Sequence, residues 1–160
     1  MYYTGVGSRS TPGDILFLME DIARVLAKKG LVLRSGAADG ADTAFEDGAD
    51  IGRGDKEIYL PWPGFQGRSK DEGMVRYDYD IASQHHPAWN RLSQGAKKLH
   101  GRNVYQVLGQ DRKTPSNGVI CWTPDGAKTA AQTGPDTGGT GTAIDRKSTR
   151  LNSSHTLASR

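Results

Sequence analysis

The amino-acid sequence predicts an α/β fold, in which an open parallel sheet carries helices on both faces. Two observations predict it. Short apolar runs alternate with segments of helical periodicity along the chain, and glycine-rich loops follow three of the apolar runs. The order strand, helix, strand is typical of parallel strands that are joined by right-handed crossovers.

The first predicted unit is a strand from Tyr2 to Val6, followed by a long helix. Ser10 or Thr11 is the predicted cap of this helix, with Pro12 in its first turn and Gly30 as its stop. The apolar residues at helical spacing are Ile15, Leu18, Met19, Ile22, Val25 and Leu26. This spacing predicts a helix.

The second unit repeats this order. A strand is predicted from Leu31 to Arg34, and a short helix from Ala41 to Ile51, with Ala44 and Phe45 facing inward and Gly52 as its stop. A third strand, from Glu57 to Leu60, ends at Pro61. Three strands therefore precede residue 62.

The pattern is looser after Pro61. Residues 64–84 have no sustained period and are predicted to be mainly loop, either a lid or binding element or an insertion of no consequence. A helix is predicted from Pro87 to Leu99 and a second short one from Asn103 to Leu108. Gly118 to Trp122 is the predicted fourth strand.

Composition limits the class of protein. The 160 residues suit one domain, and no apolar run approaches the roughly 20 residues of a membrane span. The N-terminus has no basic stretch followed by an apolar segment, so a cytoplasmic location is expected. Cys121 is the one cysteine and is predicted to be a core thiol.

The net charge of +3 comes from the end of the chain. Residues 145–160 contain four basic residues and one acidic residue, so residues 1–144 are neutral overall. The segment DRKSTRLNSSH, from Asp145 to His155, resembles the codon-by-codon translation of a widely used sequencing-library adapter. We therefore expect one domain over residues 1–144 and a disordered, artefactual tail over 145–160, with the sheet lacking its last strand.

The three glycine-rich loops predict a ligand site. They are GVGSRS after the first strand, SGAADGAD after the second and TGGTG after the fourth. In an open parallel sheet such loops converge beyond the carboxyl ends of the strands. Backbone N–H groups of glycines can approach a phosphate closely, and hydroxyls and an arginine can add donors. The residues expected in these roles are Ser8, Arg9, Ser35, Gly36, Gly40, Gly138, Gly139, Thr140, Gly141 and Thr142.

Carboxylates near these loops are candidates for chemistry. Asp39 and Asp42 suit either helix capping, contact to a sugar hydroxyl or catalysis. Asp42 and Glu46 are the candidate general acids or bases. No cluster of histidine, aspartate and glutamate has metal-ligand spacing, so neither a metal nor a cofactor is predicted.

These motifs resemble the SLOG superfamily, which joins the DprA (Smf) DNA-processing proteins, the YspA-type proteins and the LOG nucleotide phosphoribohydrolases. The resemblance covers roughly residues 2–144 and implies a Rossmann-like domain. The Gly-Ser-Arg turn of the DprA type is matched by Gly7, Ser8 and Arg9. Its Ser-Gly-x-Ala-x-Gly-x-Asp loop is matched by Ser35, Gly36, Ala38, Gly40 and Asp42, with Asp39 where that family usually has arginine.

The resemblance also implies site residues later in the chain. The GRN segment, with Arg102 and Asn103, is similar to an Arg-Asn element that precedes the fourth strand in these relatives. The Pro-Gly-Gly-x-Gly-Thr turn of the LOG enzymes is matched from Gly138 onward, with Thr137 in place of the proline. Ala143 and Ile144 follow Thr142, where those enzymes continue to a glutamate.

Two functions follow as expectations. The resemblance to DprA implies a module that binds a nucleotide or single-stranded DNA through phosphates. The alternative is a LOG-like hydrolase that cleaves the base from a nucleoside 5′-monophosphate. Neutrality of residues 1–144 favours a small nucleotide over a polyanion. Relatives often form homodimers, so pairing of two copies is expected by resemblance alone.

Overall fold

A computed structural model describes residues 1–134, 137, 139–144 and 157–158 of the chain. Its strands and helices are, in chain order, β1 (Tyr2–Gly7), α1 (Gly13–Lys28), β2 (Val32–Ser35), α2 (Ala41–Ile51), β3 (Lys56–Leu60), β4 (Met74–Val75), α3 (Tyr79–Ser83), α4 (Gln94–Leu108), β5 (Gly118–Trp122) and β6 (Leu157–Ala158). Residues 140–144 are also helical.

The strands form one open parallel sheet in the order β4-β3-β2-β1-β5-β6 among the described residues. β1 lies at the centre, with Tyr3 opposite Gly118 on one side and Leu33 on the other. The sequence-based fold class, an α/β protein with a Rossmann-like open parallel sheet, is confirmed.

The outer edge of β5 differs from expectation. The sequence predicts that the sheet lacks its last strand, but Leu157–Ala158 pairs with Ile120 and Cys121 in parallel. The unpaired backbone groups of an edge strand are a template on which a further segment can pair. The predicted disorder of the tail falls on residues that otherwise lie outside the described part of the chain.

Helices cover both faces of the sheet. On one face α1 and α2 bury Met19, Ala23 and Phe45 against Tyr3 and Leu33. α2 lies close to α1, since a Cβ placed on Gly48 would lie 2.1 Å from the carbonyl oxygen of Glu20. The other face is covered by α4.

α4 builds the second core. Val104 and Leu108 pack with Tyr59 of β3 and with Val119 and Cys121 of β5, and all five are nearly inaccessible to solvent. The prediction of a buried thiol at Cys121 is therefore confirmed. Burial raises the pKa of this thiol to about 11.

α1 differs from its predicted start. Pro12 is the N-cap residue rather than part of the first turn, and no side chain caps the helix. Of the apolar residues at helical spacing, Met19 is buried, whereas Leu18 and Val25 are 46% and 44% exposed. Ala23 and Ala27 complete the buried face, because these small residues let α2 approach closely.

One helix replaces the two that were predicted between Pro87 and Leu108. α4 begins after Ser93, whose hydroxyl accepts the Ala96 N–H at 3.2 Å, and continues to Leu108 without a break. Gly101 lies within it because a Cβ there would approach Tyr77 Cβ to 2.9 Å. Tertiary packing therefore outweighs the weak helix propensity of glycine.

Residues 64–84 contain only short elements, as the sequence predicts. Phe65 anchors the first part of this segment, because it is buried and packs edge-to-face on Trp62 at 5.1 Å. β4 and α3 follow with two and five residues. Within the described residues, the longest helices are too short or too polar to cross a bilayer.

Candidate functional site

The loops after β1 and β2 and the segment that contains Thr137, Gly139, Thr140 and Ala143 converge on one cavity of about 390 Å³. As predicted, it lies beyond the carboxyl ends of the strands. The predicted residues that line it are Gly7, Ser8, Arg9, Ala38, Asp42, Arg102, Asn103, Thr137, Gly139 and Thr140. The lining also includes Val6, Ala96, Leu99, His100, Gln106 and Ala143.

α4 makes hydrogen bonds to two other parts of the cavity wall, the loop after β2 and the turn around residue 139. Arg102 donates from Nη1 to the carbonyl oxygens of Gly36 and Tyr59, the latter at 3.1 Å. Asn103 Nδ2 donates to the Gly139 carbonyl at 2.8 Å. His100 Nδ1 lies 2.9 Å from Thr142 Oγ1. One helix therefore positions both the loop after β2 and the turn around residue 139.

Asp42 takes up the backbone donors of the first two loops. Its carboxylate accepts hydrogen bonds from the N–H groups of Gly7, Gly36 and Ala38, the last at 3.4 Å from Oδ2. These are amides that the sequence assigns to a bound anion. In the structure the protein's own carboxylate occupies this place at the N-terminus of α2, where the helix dipole favours negative charge.

The burial of Asp42 changes its ionisation. Its side chain is almost completely buried, and this loss of hydration raises the pKa from 3.8 to about 6. The positive charge of Arg102 and the three backbone donors limit the rise. Asp42 is thus a carboxyl group that can exist in both protonation states near neutral pH.

The cavity has an excess of positive charge. Arg9 and Arg102 line it against the single carboxylate of Asp42. Arg102 is buried, and its pKa is lowered to about 10 mainly by that burial. Arg9 is exposed at the rim. Burial, together with His86 and Arg102, lowers the pKa of His100 to about 4, so this histidine is neutral at pH 7.

Gln106 presents an unusual donor to the cavity. Its side chain is 1% exposed, and within the described part of the chain its Nε2 has no hydrogen-bond partner. Buried amide donors are nearly always paired, because an unpaired one costs about 1–3 kcal/mol. A donor of this kind beside a cavity indicates a ligand acceptor.

Several predicted residues lie behind the cavity or beside it. Ser35 Oγ donates to the Gly5 carbonyl at 2.7 Å, and Gly40, with φ +85°, is the N-cap residue of α2. Asp39 is exposed and does not line the cavity. The other predicted residues that do not line it are Gly36, Gly141 and Thr142. Gly138 lies outside the described residues.

Glu46 does not reach the cavity. It is buried on the outer side of α2, where Arg68 donates to both carboxylate oxygens at 2.7 and 2.6 Å and Lys56 donates at 2.8 Å. Hydrogen bonds from these two cations lower its pKa despite the burial. Glu46 therefore stabilises the start of the 64–84 segment, and Asp42 is the one carboxylate among the described lining residues.

No protein-family model, curated protein or solved structure matches the chain. The identification of the cavity as a functional site therefore depends on its geometry alone. In the described ranges no three residues of the types His, Cys, Asp and Glu come together as a metal site.

His100 and Gln106 are the polar lining residues that the sequence-based prediction missed. They lie on α4 with Ala96, Leu99 and Asn103 at spacings of three and four residues. This is the spacing of one helical face. The signal was present in the sequence, but dividing the segment into two helices broke the face in the middle.

Proposed function

We propose that the cavity binds a small nucleotide, of the size of a nucleoside monophosphate. The observation that carries this proposal is the charge of a cavity lined by two arginines and one carboxylate. Its volume, about 390 Å³, is in the lower part of the range for small-molecule sites. An anionic ligand with an apolar body suits such a lining.

Arg9 is the residue that we expect to bind the phosphate. It lies at the rim, exposed, next to the hydroxyl of Ser8. The inner amides of Gly7, Gly36 and Ala38 already bind Asp42, whose negative charge repels a phosphate. The phosphate therefore belongs at the outer end of the cavity and the uncharged part of the nucleotide at the inner end.

The apolar walls support a nucleoside at the inner end. Val6, Ala38 and Leu99 line the cavity beside the polar groups. Single-stranded DNA, the other ligand that the resemblance implies, usually needs several lysine or arginine contacts. Residues 1–144 carry no excess of positive charge, which favours the small ligand.

Hydrolysis of the bound nucleotide is the second candidate function. Asp42 supports it, since a buried carboxyl group with a pKa of about 6 suits a general acid or base. Release of free base from a nucleoside monophosphate, followed by chromatography, tests this function. Activity that Asp42→Asn abolishes would support it.

Calorimetric titration with adenosine monophosphate tests the binding proposal. We expect Arg9→Ala to weaken binding about tenfold or more, because a charge-assisted contact to the phosphate is lost. Arg53→Ala is the matched control, since Arg53 is exposed in the turn that follows α2, at the opposite end of that helix.

Two outcomes would contradict the proposal. One is the absence of nucleotide binding by folded protein. The other is tight binding of a single-stranded oligonucleotide that the monophosphate does not displace and that weakens steeply with salt. That second result would instead support the DNA-processing function.

A further inference from the structure

The inner end of the cavity combines an unpaired donor with a carboxylate. Gln106 Nε2 and Arg102 Nη1 both lie against Gly36, since a Cβ placed on that glycine would be 2.2 and 2.3 Å from them. The Gly36 N–H donates to Asp42 on the same stretch of backbone. Donor and acceptor are thus neighbours around one glycine.

The side chains of Arg102 and Gln106 differ in how many hydrogen-bond partners they have. Arg102 is satisfied by the carbonyl oxygens of Gly36 and Tyr59 and by Asn103 Oδ1. Gln106 Nε2 has no acceptor among the described residues. Asp42 receives three backbone donors, and a carboxylate has room for about four.

A ligand hydroxyl can bind both Gln106 Nε2 and the Asp42 carboxylate. It accepts a hydrogen bond from an amide and donates one to a carboxylate, whereas a phosphate oxygen only accepts and would be repelled by Asp42. An apolar group would leave Gln106 unpaired. Of the parts of a nucleotide, the ribose offers such hydroxyls.

We infer that Gln106 and Asp42 together bind a ribose hydroxyl, so that the site selects ribonucleotides over deoxyribonucleotides. This inference rests on the proposed function, because it assigns the inner end of the same cavity to the sugar. Sites that hydrogen-bond a ligand hydroxyl discriminate strongly against the analogue that lacks it, since their buried polar groups are then left unpaired.

The test compares four ligands by calorimetry: adenosine monophosphate and its 2′-deoxy, 3′-deoxy and 2′,3′-dideoxy forms. We expect the wild-type protein to lose about tenfold or more in affinity when one of the two hydroxyls is absent. Gln106→Met, which keeps the length of the side chain but has no donor, should reduce this ratio to nearly one. Gln106→Glu is the second variant, and circular dichroism establishes that both variants fold.

Arg9→Ala is the matched control for this ratio. It should weaken all four ligands by a similar factor and leave the discrimination between them unchanged, because Arg9 lies at the phosphate end. Equal affinity of the wild-type protein for all four ligands would overturn the hydroxyl contact and leave nucleotide binding intact. Discrimination that persists in both Gln106 variants would also overturn it, and the absence of binding for all four would overturn the proposed function itself.

Discussion

Asp42 and His100 both line the cavity, and folding shifts their pKa values in opposite directions. Burial favours the neutral form of each, so the pKa of the acid rises and that of the base falls. Folding therefore favours the uncharged form of both side chains. As the pH rises, the free energy of unfolding should fall because of Asp42 and rise because of His100.

The first prediction concerns Asp42. Its pKa rises from 3.8 to about 6 on folding, so its contribution to the free energy of unfolding is present below pH 4 and is lost as the pH rises through 6. Asp42→Asn removes this dependence. Relative to the variant, the wild-type protein should lose up to roughly 3 kcal/mol between pH 4 and pH 7. Urea denaturation at several pH values measures it.

His100→Asn serves as the control of opposite sign. The pKa of His100 falls from 6.5 to about 4 on folding, so its contribution is present above pH 6.5 and is lost as the pH falls through 4. The wild-type protein should therefore gain stability relative to this variant as the pH rises. Two parallel pH profiles for Asp42→Asn and the wild type would show that Asp42 is not perturbed.

At the scale of elements, close contacts between backbones set the geometry of the site. Gly48 brings α2 onto α1, and Gly101 brings α4 onto the start of α3. α2 carries Asp42 and α4 carries Arg102, so these contacts fix the distance between the two sides of the cavity. A small displacement of either helix would separate the polar groups around Gly36.

The second prediction tests the contact of α1 with α2. Gly48→Ala should destabilise the protein by about 1–3 kcal/mol, although alanine is the better helix former, because its Cβ would lie 2.1 Å from the Glu20 carbonyl oxygen. Gly95→Ala in α4 is the control. A Cβ there has one neighbour, Trp62, at 4.0 Å, so stability should rise by up to about 1 kcal/mol. Thermal unfolding of both variants distinguishes packing from propensity, and equal shifts would contradict the close contact.

At the scale of the whole molecule, charge is unevenly distributed along the chain. Residues 145–160 supply the net charge of +3, and residues 1–144, which include the described lining of the cavity, are neutral overall. Every lining residue that the structure describes precedes residue 145. Affinity for a small nucleotide and affinity for a polyanion should therefore depend on different parts of the chain.

The third prediction separates these two affinities by ending the chain at Ile144. Its affinity for adenosine monophosphate should change less than about twofold, because the tail adds no described residue to the cavity. Any affinity of the full chain for a single-stranded oligonucleotide should fall, since four basic residues are removed. Fluorescence anisotropy at two salt concentrations measures the second effect. Loss of nucleotide binding on truncation would contradict the assignment of the site.

The success of the sequence-based predictions depends on the kind of signal. β5 was predicted with its observed bounds, as was α2, because local apolar patterns and a terminal Gly52 define them. α4 was divided because Gly101 and the polar residues near it weaken the periodicity. Its continuity depends on packing against Tyr77 and Asp78, which are distant in sequence.

The sequence by itself determined the succession of β1, α1, β2, α2 and β3, the later strand β5, and the edge of the sheet where the loops meet. These follow from local periodicity and from the handedness of parallel crossovers. The tertiary structure decided which groups face the cavity. In the structure the loop amides bind Asp42, and Glu46 lies in an ion-pair cluster away from the cavity. His100 and Gln106 line the cavity. The physical reason is that a buried polar group takes the nearest partner in three dimensions, and that partner depends on how helices pack rather than on the spacing of residues along the chain.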